Sequence, residues 1–397
     1  MPVQARTAVI ASLALSAMAI GPIVAWSQSS PASGPVARYD MRAGTISGAG
    51  AFGGGMGSAL GAVFGRGGNQ PQHELLLRLG SSRTPERGAA RADHFMPANA
   101  RLGRSVPLTT PTEEASEGDR LPGERSGRIL LYWGCGEHAA RGQPVVIDIS
   151  RLTAGQVPPG LWSTTIPRDL GPTLQNSRTF GRWPGEGNRQ VRADSSLLGL
   201  HRIAGTYSPE ISFTLTKDFM AALVATQAQQ ASGATVLSWT ALPDATGYHA
   251  AMFGGKRGAE GQMGDMVMWS SSATRQFGGG LGDWLSPAQA AALVRDRSVM
   301  APATTTCTIP AEVRRDAADF RFGMLTAFGP EEDFSYPPRP SDPRAAWNLE
   351  WTARVRHRSF TSWMDMPGMG AANGQPPAQP ACPRRGGLLG AVLRPGC

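Results

Sequence analysis

The sequence predicts a mainly β protein, built from two β-sandwich-like modules with a few short helices. Three observations support this prediction. Short segments in which apolar and polar residues alternate with a period of two recur along the chain, as in half-buried strands. The chain contains 50 Gly and 32 Pro residues, many of which separate these segments and favour turns. Charged residues make up only 17% of the chain, which excludes a highly charged disordered protein.

Residues 1–27 are predicted to be a secretory signal peptide. Arg6 supplies a positive charge, residues 7–25 are uncharged and mostly apolar, and Ala25 and Ser27 are small residues at plausible cleavage points. An uncleaved membrane anchor is the alternative. We therefore expect an exported protein that lies in the periplasm, at the outer membrane or outside the cell.

Residues 28–70 are predicted to be a Gly-rich arm. Four glycines recur there at every fourth position: Gly53, Gly57, Gly61 and Gly65. On a helix this spacing makes a stripe that a second backbone can approach closely. The segment resembles the glycine-zipper stretches of exported bacterial envelope proteins, which implies self-association. A flexible linker is the alternative, because each Gly inside a helix costs about 1 kcal/mol relative to Ala.

Residues 367–397 are predicted to be a disordered, Pro/Gly-rich tail. Its Pro- and Gln-rich part, residues 374–380, has the composition of a linker. Farther on, Leu389–Leu393 nearly repeats the apolar sequence of Leu60–Phe64. Two similar apolar patches at opposite ends suggest self-association or attachment to a surface, and chance similarity is the alternative.

An N-terminal β-module is predicted over residues 71–152. Its strands are expected at residues 73–80, 128–133 and 144–149, the last of which is rich in β-branched residues.

A larger β-sandwich-like module with a helical insertion is predicted over residues 153–366. The expected elements are a strand at 211–216, a helix within 219–230, a capped helix that begins after Ser286 and runs to about Arg297, and a late strand at 347–356. The polar face of that late strand is expected to be solvated. That face carries Arg354 and Arg356, which together with Arg358 form a positive strip that is a candidate binding surface.

Residues 234–330 contain a segment that resembles a known fold. In Val236–Tyr248 a Leu-Ser-Trp sequence is followed by a Pro/Gly turn and a Tyr, which resembles the second and third strands of a fibronectin type III domain. The resemblance implies an immunoglobulin-like sandwich, and such domains usually bind or space rather than catalyse. The long stretch between Tyr248 and Cys307 implies an insertion.

The chain has four cysteines: Cys135, Cys307, Cys382 and Cys397. In an exported protein an even, low number of cysteines suggests two structural disulfides, for which three pairings are open. We favour Cys135 with Cys307 and Cys382 with Cys397. No Cys-x-x-Cys pair is present, which disfavours finger-type zinc and thioredoxin-like chemistry.

The sequence offers two candidate arrangements of catalytic residues. Convergence of His73, His94 and His138 would give a three-histidine metal site, although no helical spacing enforces it. Alternatively, Cys135 and His138 form a nucleophile–base pair. The sequence has no Gly-x-Ser-x-Gly motif and no phosphate loop with its Lys. We therefore assign no catalytic residue, metal or cofactor and exclude nucleotide as a partner.

The formal net charge is +8, and all but two of the 38 basic residues are arginine. For an exported protein this charge favours anionic envelope glycans or lipids as partners rather than nucleic acid. The chain as a whole resembles uncharacterised exported bacterial proteins. The sequence thus predicts an exported, non-catalytic envelope or extracellular protein that binds or assembles through its sandwich surfaces. The alternative is a secreted or periplasmic hydrolase with a Cys/His or metal centre near Cys135 and His138.

Overall fold

The structure is a computed structural model of the whole chain. It describes residues 34–48, 71–111, 127–153, 156, 169, 171–185, 190–257, 263–276, 281, 284–342 and 344–366. The predicted signal peptide, the four-residue glycine stripe, and Cys382 and Cys397 in the predicted tail lie outside the described residues.

The protein is mainly β: strands and three short α-helices make up most of the regular structure of the described part. In chain order the strands are β1 Ala37–Gly48, β2 Gln72–Ser81, β3 Ala92–Phe95, β4 Val106–Pro107, β5 Arg128–Trp133, β6 Val145–Asp148, β7 Thr179–Trp183, β8 Gln190–Val191, β9 Gly199–Gly205, β10 Ile211–Leu215, β11 Ala225–Gln229, β12 Thr235–Trp239, β13 Gly247–Arg257, β14 Met263–Ser270, β15 Thr306–Ile309, β16 Phe320–Tyr336 and β17 Trp351–Asp365. The helices are α1 Ile149–Thr153, α2 Pro287–Arg295 and α3 Ala311–Asp316. None of them is long and apolar enough to cross a membrane.

One large sheet organises the fold. It has ten strands in the order β6-β5-β14-β13-β16-β17-β1-β2-β7, with β8 also paired to β2. Strand β1 runs parallel to β17, and β14 runs parallel to β5, whereas the other neighbours are antiparallel. Two smaller sheets accompany it, one in the order β10-β9-β3-β4 and one in the order β11-β12-β15.

Each small sheet shares a hydrophobic core with one part of the large sheet. The first core joins Tyr39, Met41 and Val355 of the large sheet to Ile203 and Phe213 of the four-stranded sheet. The second joins apolar residues of β13, β14 and β16, such as Ala250, Val267 and Leu325, to residues such as Leu237 and Ile309 of the three-stranded sheet. The result is two sandwich-like halves that share one continuous sheet.

Strands β16 and β17 run through both halves. Their register shifts between Phe328 and Glu331, where β16 carries a bulge. The first part of β16 therefore packs in the second core, and Phe334, beyond the bulge, packs against the first core. This irregularity lies at the junction of the two halves. Because a bulge bends a strand and increases its twist, it changes the direction of β16 there.

The predicted boundaries need correction at two places. Residues 37–48 of the predicted Gly-rich arm form β1, an interior strand in which the apolar Tyr39, Met41 and Ala43 alternate with polar residues such as Asp40 and Arg42. The Gly-rich surroundings obscured this period-two pattern. The predicted boundary at residue 152 does not separate two sheets, because β5 and β6 pair into the same sheet as β13 and β14.

The helix predicted within residues 219–230 is wrong, because residues 225–229 form β11 and residues 219–224 have no regular secondary structure. Here tertiary hydrogen bonds override helix propensity. The Thr45 hydroxyl donates to the Met220 carbonyl at 2.6 Å, and the Leu223 amide donates to Ser359 at 3.1 Å. The capped helix is present as α2, with the Ser286 and Gln289 capping box that its sequence predicts.

Candidate functional site

A disulfide anchors the region that the sequence singles out for chemistry. Cys135 follows the end of β5 and is bonded to Cys307 of β15, with a Cα–Cα distance of 5.2 Å. The favoured pairing of these two cysteines is thus present in the structure. The bond connects the large sheet to the three-stranded sheet across 172 residues of sequence, and it leaves Cys135 without a thiol.

His138 lies in the loop after Cys135 and faces α3. Its Nδ1 is 3.2 Å from Glu312 Oε1, and its side chain is 65% exposed. The other Glu312 oxygen accepts a hydrogen bond from the Ala139 amide at 2.9 Å. The neighbouring backbone is also tied down, because the Ala311 amide donates to the Glu137 carbonyl at 3.0 Å. The loop and the helix therefore hold each other in place.

Between this loop and α3 the surface forms a groove of about 600 Å³, which we call the α3 groove. Its polar lining consists of His138, Ser232, Glu312, Arg314, Arg315 and Arg321, and Gly233, Ala311 and Ala318 supply the apolar part. The volume is within the range of small-molecule sites in proteins.

The three arginines of the α3 groove differ in how fully their donors are used. Arg321 is bonded to Asp365 at 3.0 and 2.6 Å and to the Ala317 carbonyl at 2.6 Å. Arg315 bonds to Asp316 at 2.8 and 3.3 Å. Arg314 forms an ion pair with Asp365 at 3.8 Å, which is beyond hydrogen-bond distance, and its side chain hydrogen-bonds to none of the described residues. Arg314 is thus the arginine of the α3 groove whose donors are least used.

The three histidines proposed as metal ligands do not come together. His138 is on the α3 groove, whereas His94 is buried in the first core and His73 stacks on Phe219 at 3.9 Å between ring centroids. In the part of the chain that the structure describes, no group of three His, Cys, Asp or Glu residues is arranged to hold a metal ion. The three-histidine hypothesis is therefore wrong.

His94 instead belongs to a buried hydrogen-bond chain. Its Nδ1 is 2.6 Å from the Tyr39 hydroxyl, its Nε2 is 2.9 Å from His201 Nδ1, and His201 Nε2 is 2.7 Å from the Leu197 carbonyl. Because that carbonyl only accepts, His201 Nε2 carries a proton, so His201 Nδ1 accepts from His94 and His94 Nδ1 accepts from Tyr39. Burial lowers the pKa of both histidines. In this hydrogen-bond chain every ring nitrogen of the two histidines has a partner while both rings are neutral. The two histidines therefore stabilise the fold and leave no ring nitrogen for a metal.

A second polar cluster lies on the other face of the large sheet. We call it the arginine–aspartate cluster; it consists of Asp40, Arg42, Arg78, Asp169, Arg354 and Arg356. Register brings its members together, because Asp40 pairs with Arg78 on β2 and with Arg354 on β17, and Arg42 pairs with Arg356.

Asp40 is the centre of the arginine–aspartate cluster and is 1% exposed. Its carboxylate lies 2.7 Å from Arg78, 2.9 Å from Arg356 and 3.0 Å from Arg42. Burial alone would raise the pKa of Asp40, but the surrounding guanidinium groups outweigh it and hold that pKa well below the usual value. Asp169 bridges three of the same arginines, which also lower its pKa.

The candidate binding strip of Arg354, Arg356 and Arg358 is not a solvated face, and that expectation is wrong. The Arg356 side chain is 3% exposed and bonds to Asp40, Asp169 and the Trp284 carbonyl. Arg358 is 2.7 Å from Glu74, and its guanidinium lies 4.1 Å from the Trp284 ring centroid. The Trp284 segment and Asp169 cover this part of the sheet, which strand alternation cannot reveal.

Two further carboxyl groups border the arginine–aspartate cluster. Glu331 pairs with Arg356, and Asp333 pairs with Arg354, in the β16–β17 register. Burial and the charge of Asp333 raise the pKa of Glu331 to about 7. Sequence reasoning missed Asp40, Arg42, Arg78 and Asp169; the alternation of charged Asp40 and Arg42 with apolar residues in β1 is the signal that could have found two of them.

Comparisons with protein-family models, curated proteins and solved structures found no match.

Proposed function

We propose that the chain is an exported, non-catalytic protein that binds anionic glycans or lipids of the cell envelope. The observation that carries this proposal is the disulfide between Cys135 and Cys307. Disulfides persist in oxidising compartments and are rare in the cytosol. The Cys/His form of the alternative hydrolase requires a thiolate nucleophile, and the disulfide removes the thiol that His138 would activate.

The strand arrangement supports a binding role of the second half. Strands β11, β12 and β15 face β14, β13, β16 and β17, so that the segments that resemble the second and third fibronectin type III strands lie in opposite sheets. Trp239 and Tyr248 pack with ring centroids 5.4 Å apart, and the Tyr248 hydroxyl accepts from the Leu242 amide at 2.6 Å. We therefore infer an immunoglobulin-like sandwich with an insertion that contains α2.

The proposal is tested on the full-length chain expressed in a Gram-negative host. We expect a mature protein that begins near residue 26 or 28 in the exported fraction, with Cys135 and Cys307 unreactive to thiol reagents until they are reduced. We also expect retention on immobilised polygalacturonate or on phosphatidylglycerol vesicles, and none on dextran. An intact N-terminus in the cytosol with reduced thiols, or no retention on either anionic surface, would refute the proposal.

Self-association through Gly53, Gly57, Gly61 and Gly65 is a separate part of the proposal. Deleting residues 28–70 cannot test it, because the deletion also removes β1. The variant Gly57→Leu/Gly61→Leu blocks close approach along the stripe and leaves the sheet intact. Sedimentation velocity should show loss of oligomers in this variant. The same oligomers in wild type and variant would contradict the glycine stripe.

A further inference from the structure

We propose that the α3 groove binds a carboxylate-bearing sugar, that is, a uronic acid unit of an acidic glycan. This inference rests on the proposed function and deepens it, because it names one site and one ligand chemistry.

The walls of the α3 groove are held in place before any ligand arrives. The disulfide fixes the start of the His138 loop against β15, and the Gly136 amide donates to the Thr308 carbonyl at 2.8 Å. The Ala311 amide closes the other end of that loop on Glu137 at 3.0 Å. A preformed site loses less conformational entropy on binding.

The cations of the groove suit a single carboxylate. Asp365 already accepts two hydrogen bonds from Arg321, which leaves Arg314 3.8 Å away with its donors unused among the described residues. A guanidinium presents paired N–H donors that match the two oxygens of a carboxylate. The Arg314 side chain is 31% exposed, so a ligand reaches it without rearrangement of the fold.

The remaining lining distinguishes a sugar acid from an inorganic anion. Ser232, His138 and Glu312 offer both donors and acceptors for ring hydroxyls, and Gly233, Ala311 and Ala318 offer an apolar surface for C–H groups. Glu312 also places one negative charge in the groove, which disfavours a doubly charged phosphate more than a singly charged carboxylate.

The test is a calorimetric titration of the oxidised mature protein with trigalacturonate. We expect Arg314→Ala to weaken binding by about tenfold or more through loss of a charge-assisted hydrogen bond. Arg314→Lys should lose less affinity than Arg314→Ala, because it keeps the positive charge although it lacks the paired N–H donors of the guanidinium. Arg87→Ala is the matched control, since Arg87 is an exposed arginine outside the groove, and it should bind as wild type does. Neutral maltotriose should not bind.

Three results would overturn the groove proposal. The first is equal affinity of Arg314→Ala and wild type for trigalacturonate. The second is tighter binding of inorganic phosphate than of trigalacturonate. The third is no binding of trigalacturonate by a wild-type protein that phosphatidylglycerol vesicles retain; in that case the anionic-surface proposal stands and the uronate site alone fails. Arg315→Ala, measured in parallel, should weaken binding less than Arg314→Ala, because Arg315 is already bonded to Asp316.

Discussion

Arg356 and His357 are neighbours in β17, yet they lie on opposite faces of the large sheet. Both side chains are buried, but Arg356 is buried as a charged group and His357 as a neutral one. Arg356 is buried in the arginine–aspartate cluster with two carboxylates. His357 is 1% exposed, and neither ring nitrogen has a hydrogen-bond partner in the described residues. Burial lowers the pKa of His357 to about 4, so its ring is neutral at neutral pH. Partners, rather than burial alone, decide which group keeps its charge.

Because buried arginines can be paired with carboxylates, the net charge of the sequence does not show how basic the protein surface is. Four arginines of this basic chain form ion pairs with two aspartates in the arginine–aspartate cluster. Arg314, by contrast, lies in an open groove without a hydrogen-bonded carboxylate. A net charge counted from the sequence therefore overstates the basic surface, and only the structure separates the arginines that stabilise the fold from those that meet a ligand.

The largest expected effect comes from removing the charge at the centre of the cluster. Asp40→Asn leaves buried guanidinium groups short of a counter-charge, and we expect the free energy of unfolding to fall by about 3–5 kcal/mol. Urea unfolding at neutral pH measures it. The control is Asp194→Asn, whose exposed carboxylate bonds to Arg192 and should make no measurable difference. Equal effects of the two variants would show that the cluster does not depend on Asp40.

A smaller effect is expected on acidification, because His357 on one face of the large sheet gains a proton in mild acid and Asp40 on the other face does not. The folded pKa of His357 lies below its ordinary value of 6.5, so the unfolded state binds more protons between about pH 4 and 6.5, and the stability from neutral His357 is lost as the pH falls through that window. His357→Leu should remove about 2 kcal/mol of the loss in unfolding free energy between pH 7 and 5. Asp40, whose pKa is held low, stays ionised over that range.

Thermal or urea unfolding at both pH values measures this difference. His249 is also buried with a pKa lowered to about 4, so part of the acid sensitivity should remain in His357→Leu. An unchanged pH dependence in His357→Leu would mean that His357 is already charged or solvated in the folded state.

The strands that the sequence predicted best are those with local patterns. Apolar residues of β2, β5 and β10 stand out because each strand has its own hydrophobic or alternating sequence and a turn at its end. Strand β1 was missed because its pattern is set in Gly-rich sequence. Its pairing with β17, from Ala37 with Trp351 onward, joins the two ends of the described chain, and no local signal encodes a contact of that separation.

The candidate sites were predicted only in part for the same reason. Cys135 and His138 are three residues apart, so the sequence could suggest them as a pair, but in the structure Cys135 is bonded to Cys307 and His138 lies beside Glu312. Arg314 was not singled out, because it belongs to the short helix α3 and meets His138 only through the fold. Arg354 and Arg356 were recognised as a charged strip, but Asp40, which neutralises them, lies 314 and 316 residues away in sequence.

The smallest expected effect concerns the border of the arginine–aspartate cluster. Burial and Asp333 raise the pKa of Glu331 to about 7. The folded state therefore binds more protons than the unfolded state between about pH 4.5 and 7, and unfolding free energy contributed by Glu331 falls as the pH rises through that window. Glu331→Gln removes this cost and should be about 1 kcal/mol more stable than wild type near pH 8, less than the full pKa difference corresponds to, because solvent screens the half-buried carboxylate.

Unfolding of wild type and Glu331→Gln near pH 5 and pH 8 checks this prediction, with Glu210→Gln as an exposed control. The sign of the difference at pH 8 decides how the cluster is balanced. A more stable variant means that Asp40 and Asp169 already neutralise the buried arginines sufficiently, so the burial of a further carboxylate and its repulsion by Asp333 outweigh its attraction to Arg354 and Arg356. A less stable variant would mean that the arginines need Glu331 as a third counter-charge, and the cluster would then be short of negative charge rather than balanced.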